Sequence, residues 1–120
     1  MNIFKALEFF CLLSGLKRDE AAEYVPLIAS SASVVERKIK DSSLCGTDEA
    51  AEVTAALTFY RYVLSQEAAG AVSFSAGSVK VDSSSRVALA RENYKRTLDM
   101  HSHLFGDDDL IFFGVAYEKN

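Results

Sequence analysis

Apolar residues recur every three or four positions through most of the chain, which is the spacing of helices that bury one face. This pattern predicts four helices, near residues 2–14, 19–40, 48–69 and 84–104. Pro26 removes an amide donor inside the second helix, so a break is expected near it. Gly15 is placed to end the first helix and Thr47 to cap the third. The inward positions predict a core made of Leu7, Phe10, Leu27, Ile28, Val35, Val53, Leu57, Tyr60, Leu64, Val87, Tyr94 and Leu98.

The block at residues 70–82 has a different period. Val72 and Phe74 alternate with serines, and Val79 and Val81 alternate with Ser78 and Lys80. Alternation with a period of two is typical of half-buried strands. Ala76 and Gly77 lie between the two runs, so the block predicts a β-hairpin arm at about residues 71–82.

Residues 110–117 are rich in β-branched and aromatic side chains and too few for a full helix, so they predict a short C-terminal strand. The fold class expected for the chain is therefore mainly α. It is a small bundle of about four helices with one β-hairpin and a short C-terminal strand. At 120 residues the chain is expected to form one domain, residues 1–120.

The composition argues against some classes of binding partner. Hydrophobic residues make up 49% and charged residues 25%, as in an ordinary globular protein. The net charge of −4 argues against a specific nucleic-acid partner, because such binding needs a dense basic face. Glu8 interrupts the apolar N-terminal run, and no stretch reaches the roughly 18 apolar residues of a membrane span. A soluble, intracellular protein with no membrane partner is expected.

Histidine, cysteine, serine and glycine residues form metal, catalytic or phosphate-binding sites in other proteins. Here they occur without the spacing that such sites require. His101 and His103 are two positions apart and point in different directions on a helix, so they do not chelate one metal. Cys11 and Cys45 lack metal-type spacing; free thiols are expected, and a disulfide between them stays open. No nucleophile elbow or phosphate-binding glycine loop is present. The sequence predicts no enzyme, cofactor, metal or small-molecule substrate.

The charges change sign along the last third of the chain. Residues 80–96 are mainly basic, whereas acidic residues prevail from position 99 onward. One interpretation is that these are solvated faces. The other is head-to-tail association of identical copies, which closes into a ring if the rotation allows. The charged residues proposed for such contacts are Arg86, Arg91, Lys95, Asp107, Asp108 and Asp109, and the apolar ones are Val72, Phe74, Val79, Val81, Ile111 and Phe113.

The order of these segments resembles the small head–tail connector, or head-completion, proteins of tailed bacteriophages and Gram-positive prophages. The resemblance is carried by SGL at 14–16, DEAAEYVPLI at 19–28, FYRY at 59–62, FSAGSVKV at 74–81 and FFGV at 112–115.

That resemblance implies a helical bundle with a hairpin or loop arm that assembles as a ring between portal and tail. Residues 71–82 and 110–117 would then contact neighbouring subunits, or a portal or tail protein. Such a structural protein has no active site. It assembles in the bacterial cytoplasm and ends in the virion if the prophage is functional. The alternative is a stand-alone bacterial helical adaptor for protein–protein interaction.

Overall fold

The computed structural model describes residues 1–73 and 78–106, with side-chain detail for residues 1–69 and 85–106. The α-helices within these residues are α1 (Ile3–Ser14), α2 (Arg18–Ala21), α3 (Val25–Lys38), α4 (Asp48–Ser73) and α5 (Ser78–Met100). Short 3₁₀ turns lie at Ala22–Tyr24, Ser42–Leu44 and Ser102–Leu104. The prediction of a mainly helical bundle is confirmed.

The helix ends follow the capping residues in the sequence. The Asn2 side chain accepts a hydrogen bond from the backbone of Lys5 and starts α1. Gly15 ends α1 in the left-handed region, at φ 78°, and its N–H donates to the carbonyl of Cys11. Thr47 Oγ1 accepts from the N–H of Ala50 at 3.2 Å and caps α4. The predicted caps at Gly15 and Thr47 are confirmed.

The predicted break in the second helical region is also confirmed. The helix α2 ends at Ala21, a 3₁₀ turn follows, and α3 begins at Val25 with Pro26 in its first turn. Proline is tolerated at that point because an amide in the first turn has no partner within the helix. The α-helical pattern is therefore interrupted immediately before Pro26 and not after it.

The central element of the bundle is α4, which packs against α1, α3 and α5. From Ala50 to Thr58 every residue except Glu52 is buried, so this helix lacks an exposed face there. Alanines on several sides let the neighbouring helices approach closely. Two buried threonines fit because their hydroxyls donate to the carbonyl four residues earlier, Thr54 to Ala50 and Thr58 to Thr54.

Two apolar clusters lie on opposite sides of α4. The first joins α3, α4 and α5, and it contains Val35, Val53, Leu57, Tyr94, Leu98 and Phe105. The second joins α1, α3 and α4, and it contains Leu7, Phe10, Ile28, Tyr62 and Val63. In the second cluster the rings of Phe10, Tyr24 and Tyr62 meet at centroid distances of 4.9–5.9 Å.

The predicted core is correct for most of its members and wrong for Leu64. Leu64 is 41% exposed, whereas Leu57, two turns earlier on α4, is 5% exposed. Leu27, Tyr60 and Val87 are partly buried at the edges of the two clusters. The remaining predicted core residues are buried.

The hairpin prediction is wrong wherever the structure describes the block. Val72 lies in the last turn of α4, and Val79 and Val81 lie in the first turns of α5. The last helix, predicted to begin near residue 84, begins at Ser78 instead. Extending a helix that already exists needs no new nucleus, whereas an isolated two-stranded ribbon is marginal in water. Gly70 therefore costs α4 about 1 kcal/mol but does not end it.

The helices α4 and α5 are antiparallel. Tyr60 stacks on Tyr94, and further along the pair Gln66 bonds to Arg86, so positions rise on one helix as they fall on the other. Beyond Met100 an isolated antiparallel bridge joins Phe105 to Ile39, and the N–H of Lys40 donates to the carbonyl of Leu104 at 2.9 Å. No strand occurs in residues 1–73 and 78–106. The strand predicted at residues 110–117 lies outside the described residues.

Candidate interaction surface

Arg86, the first of the predicted basic contact residues, joins the two long helices to each other. Its guanidinium donates to Gln66 Oε1 at 3.1 Å and lies 3.5 Å from Glu67 Oε2, both on α4. The side chain is still about half exposed. Arg86 therefore links α5 to α4. The link lies near the point along α4 beyond which most of its side chains are exposed.

Arg91 and Lys95 are exposed on α5, as expected of contact residues. The Lys95 ammonium lies 3.9 Å from the Glu92 carboxylate one turn earlier, which is a weak surface pair. Within the described part of the chain no ion pair involves Arg91. These two cations are thus presented to solvent, unlike Arg86.

The outer face of α5 is the side of that helix turned away from α4. It is defined here by its exposed residues, which are Ala88, Leu89, Glu92, Lys95, Arg96, Asp99 and Met100. Leu89 is 71% exposed and Met100 is 59% exposed. The face carries both signs of charge and an apolar residue near each end.

The other predicted contact residues divide into two groups. Val72, Val79 and Val81 belong to helices, as stated above, so they do not form a strand edge. The rest lie outside the described residues: Phe74, Asp107, Asp108, Asp109, Ile111 and Phe113.

The two histidines have different surroundings. His101 Nε2 lies 2.9 Å from Glu52 Oε1, and its side chain is mostly buried at the end of α5. His103 is exposed, with its ring centroid 6.2 Å from that of His101. The prediction that the two histidines point in different directions is confirmed. His101 provides the polar partner that Glu52 needs on an otherwise apolar stretch of α4.

Two polar contacts between α3 and its neighbours were not predicted from the sequence. Arg61 Nη1 donates to the hydroxyls of Ser30 and Ser31, at 3.2 and 3.0 Å. The Met1 ammonium lies 2.9 Å from the carboxylate of Glu36. These pairs join residues far apart in the chain, so local spacing carries no signal for them.

The helix α1 also exposes apolar side chains, but there its charges are engaged. Leu12 is 80% exposed, and Phe4 lies beneath the guanidinium of Arg18 at 4.7 Å. Glu8, on the same side of α1, pairs with Arg18 at 3.1 Å and with Lys5 at 3.6 Å. Glu8 on α1 thus has two cationic partners within the chain, whereas Glu92 on the outer face of α5 has one weak partner, Lys95.

Among the residues with side-chain detail, the surroundings perturb the pKa of Asp41 and of Tyr94. Hydrogen bonds from the backbone and then the hydroxyl of Ser43 hold the pKa of Asp41 below its usual value. Burial, with a smaller effect from the phenol of Tyr60, raises the pKa of Tyr94 far above its usual value. Asp41 caps the 3₁₀ turn at Ser42–Leu44, and Tyr94 lies in the first apolar cluster.

The described residues hold no group of three or more His, Cys, Asp or Glu side chains that could bind a metal. Cys11 and Cys45, both partly buried, are free thiols. Among the described helices none is both long and apolar enough to cross a membrane.

No family model matches the sequence, and comparison with curated proteins and with solved structures finds no match. The outer face of α5 and the far end of the α4–α5 pair are therefore the features on which a function can be argued.

Proposed function

We propose that this chain is a non-enzymatic structural subunit of a phage or prophage particle, a head–tail connector that forms a ring between portal and tail. It assembles in the bacterial cytoplasm and, where the prophage is functional, becomes part of the virion. The layout of segments that resembles this class supports the proposal, and so does one feature of the bundle.

The feature that carries the proposal is the length of α4. With 26 residues it measures about 39 Å, whereas α1 has 12 residues and α3 has 14. Residues 64–66, 68 and 69 are exposed and Glu67 only partly buried, so α4 continues past the helices that cover it. The α4–α5 pair thus supplies a projecting arm, helical where the sequence predicted strands.

An arm of this kind suits a subunit that reaches a neighbour. Phe74 follows α4 directly in the chain and is the predicted apolar contact at that end. The adjoining helix α5 adds Arg91 and Lys95, which are exposed for contact with an acidic surface of a neighbouring subunit or a portal protein.

The proposal is tested with Phe74→Asp, compared with Leu12→Asp as a matched substitution of an exposed apolar residue on α1. Circular dichroism measures helicity, electron microscopy detects rings, and co-purification measures binding to the portal protein encoded alongside. We expect Phe74→Asp to keep its helicity and to lose both rings and portal binding, while Leu12→Asp keeps all three.

Normal assembly of the Phe74→Asp variant would contradict a role for the far end of the arm. A wild-type chain that binds a cellular protein and no portal or tail protein would point instead to a stand-alone adaptor.

A further inference from the structure

We propose that the outer face of α5 binds the same face of a second copy of this chain, with the two α5 helices antiparallel. The inference rests on the proposed function in that it names a second contact between copies of the chain, beside the head-to-tail contact that a ring requires. It follows from the arrangement of apolar and charged residues along α5.

The geometry of the face suits a helix-to-helix contact. Leu89 and Met100 are eleven residues apart, which is about three turns or 16 Å of helix, and eleven residues return to nearly the same side. Leu89 and Met100 therefore lie on the same side of α5, about three turns apart. Ala90, Tyr94 and Leu98 occupy the opposite side and are buried against α4, so the outer face is available to a partner.

An antiparallel pair can bring these apolar ends together. When Leu89 lies beside Met100 of the second copy, the two-fold axis passes between positions 94 and 95. The same contact then occurs twice, because a two-fold interface is isologous. Each exposed apolar side chain is covered by the other, which removes two large apolar residues per copy from water.

The charges are complementary in this same register. Glu92 then lies beside Arg96 of the second copy, and symmetry repeats this pair. Within the described residues no ion pair involves Arg96, and Glu92 has only the weak 3.9 Å contact with Lys95.

The simpler explanation is a solvated helix with two isolated apolar side chains. The outer side of α1 fits that explanation, because Phe4 lies beneath Arg18 there, Leu12 has no second exposed large apolar residue beside it, and Glu8 is paired within the chain. On α5, a single two-fold rotation places apolar residues beside apolar residues and opposite charges beside each other. A face that only contacts solvent has no need of this arrangement.

A contact through α5 alone closes at two copies. A ring needs a second, head-to-tail contact, for which the far end of the α4–α5 arm is the proposed site. A variant that loses the α5 pairing can therefore still form rings or bind the portal protein. A variant that loses rings or portal binding can likewise still pair through α5.

The test is sedimentation equilibrium of the full chain at low ionic strength over a range of concentrations. We expect a dimer that dissociates on dilution and on addition of salt, because one helix face is a small interface with charged contacts. Glu92→Arg and Arg96→Glu should each raise the dissociation constant about tenfold or more. The double variant should restore it, since the charges are exchanged within a symmetric pair.

The apolar contact has its own control. Leu89→Asp should also abolish the dimer, while Leu12→Asp should leave it unchanged. Circular dichroism checks that each variant is folded. A wild-type monomer at every concentration, a folded double variant that does not recover, or equal effects at positions 89 and 12 would each overturn the proposal.

A second measurement does not depend on the charge variants. In a background with Cys11→Ser and Cys45→Ser, chains carrying Leu89→Cys are mixed with chains carrying Met100→Cys and oxidised. The proposed register predicts a disulfide between the two kinds of chain and little linkage within either kind. Linkage that ignores this pairing would contradict the antiparallel register.

Discussion

Among the residues with side-chain detail, Tyr94 is the largest that is fully buried, and it lies at the contact between α4 and α5. Its ring stacks on that of Tyr60 at a centroid distance of 6.1 Å. Burial favours the neutral phenol, which is why the pKa of Tyr94 is raised above its usual value of 10.0. This single side chain links the stability of the bundle to alkaline pH.

The direction of that dependence follows from the two states. Below pH 10 both the folded and the unfolded chain hold the proton, so the contribution of Tyr94 to stability is complete. Above pH 10 the unfolded chain loses the proton while the folded chain retains it, so stability falls by about 1.4 kcal/mol per pH unit. Urea unfolding from pH 8 to 11 should show a steeper loss for the wild type than for Tyr94→Phe. Equal slopes would contradict the burial of the phenol.

Leu57 and Leu64 provide a matched pair of core and surface positions on one helix. Leu57→Ala should lower the free energy of unfolding by about 2–5 kcal/mol, because it leaves a cavity in the first cluster. Leu64→Ala should lower it by less than about 1 kcal/mol, because the side chain is already partly in water. Chemical denaturation of both variants measures the difference, and similar losses would be inconsistent with the observed burial.

The same pair shows what periodicity can predict. The spacing of Val53, Leu57, Tyr60 and Leu64 correctly defines the inward side of α4. Whether an inward residue is buried depends also on how far the neighbouring helices extend. Arg61 lies beside Ser30 and Ser31, near the middle of α3, so Leu64 is close to the level at which α3 begins. The sequence of α4 alone does not indicate where α3 begins beside it.

At the scale of the helices and their connections, the end of α1 depends on one glycine. Gly15 has φ 78°, where a side chain is strained, and Gly46 has no such conformation. An added Cβ would meet no atom within 4 Å at either position, so conformation alone separates the two.

Gly15→Ala should therefore destabilise the fold by about 1 kcal/mol. Gly46→Ala should be neutral or slightly stabilising, since alanine restricts the unfolded chain. Thermal unfolding of the two variants gives the comparison. A loss at Gly46 as large as at Gly15 would mean that the left-handed cap does not determine the end of α1.

Capping residues and long periodic runs allowed most helix positions to be predicted from sequence. The hairpin at residues 71–82 was predicted from a few alternating residues, and that signal is weak against extension of an adjoining helix. Val79 and Val81 fit a strand and the first turns of α5 equally well by composition. Long-range ties such as Arg61 to Ser30 decide how the helices pack, and no local pattern reveals them.

At the scale of the whole molecule, both apolar clusters share α4. Val53 and Leu57 belong to the first cluster, and Ala51 and Ala55, on other sides of the same turns, belong to the second. Neither cluster can lose α4 and remain closed. We therefore expect the bundle to unfold as one cooperative unit.

Native-state hydrogen exchange can test this cooperativity. Amides from Val53 to Val63 should exchange only through global unfolding, because every helix that covers them must separate first. Amides of Ala68 and Ala69, whose side chains are exposed, should exchange faster by local opening. Exchange of α4 in two steps, one for each cluster, would contradict a shared core.

The exposure of the proposed contact residues was predicted for some of them, and their role in contacts stays a prediction. Arg91 and Lys95 are exposed as expected, because charged residues outside a clear apolar stripe seldom lie in a core. Arg86 was expected to face a partner and instead contacts Gln66 and Glu67, since pairing between adjacent helices depends on their register. The opposite charges at Glu92 and Asp99 matter only once α5 is known to expose them together with Leu89.

The bridge between Ile39 and Phe105 has a mechanical consequence. It joins the segment that follows α5 to the segment that follows α3, where the N–H of Lys40 bonds to Leu104, while Ser73 and Ser78 lie at the other end of the α4–α5 pair. A sideways force at Ser73 and Ser78 would therefore act on a lever whose base is held at α3. Sliding of α5 along α4 would have to break the contacts of Arg86, and separation of α5 from α3 would have to break the bridge. We expect such a force to reach the connection between α3 and α4 through this bridge.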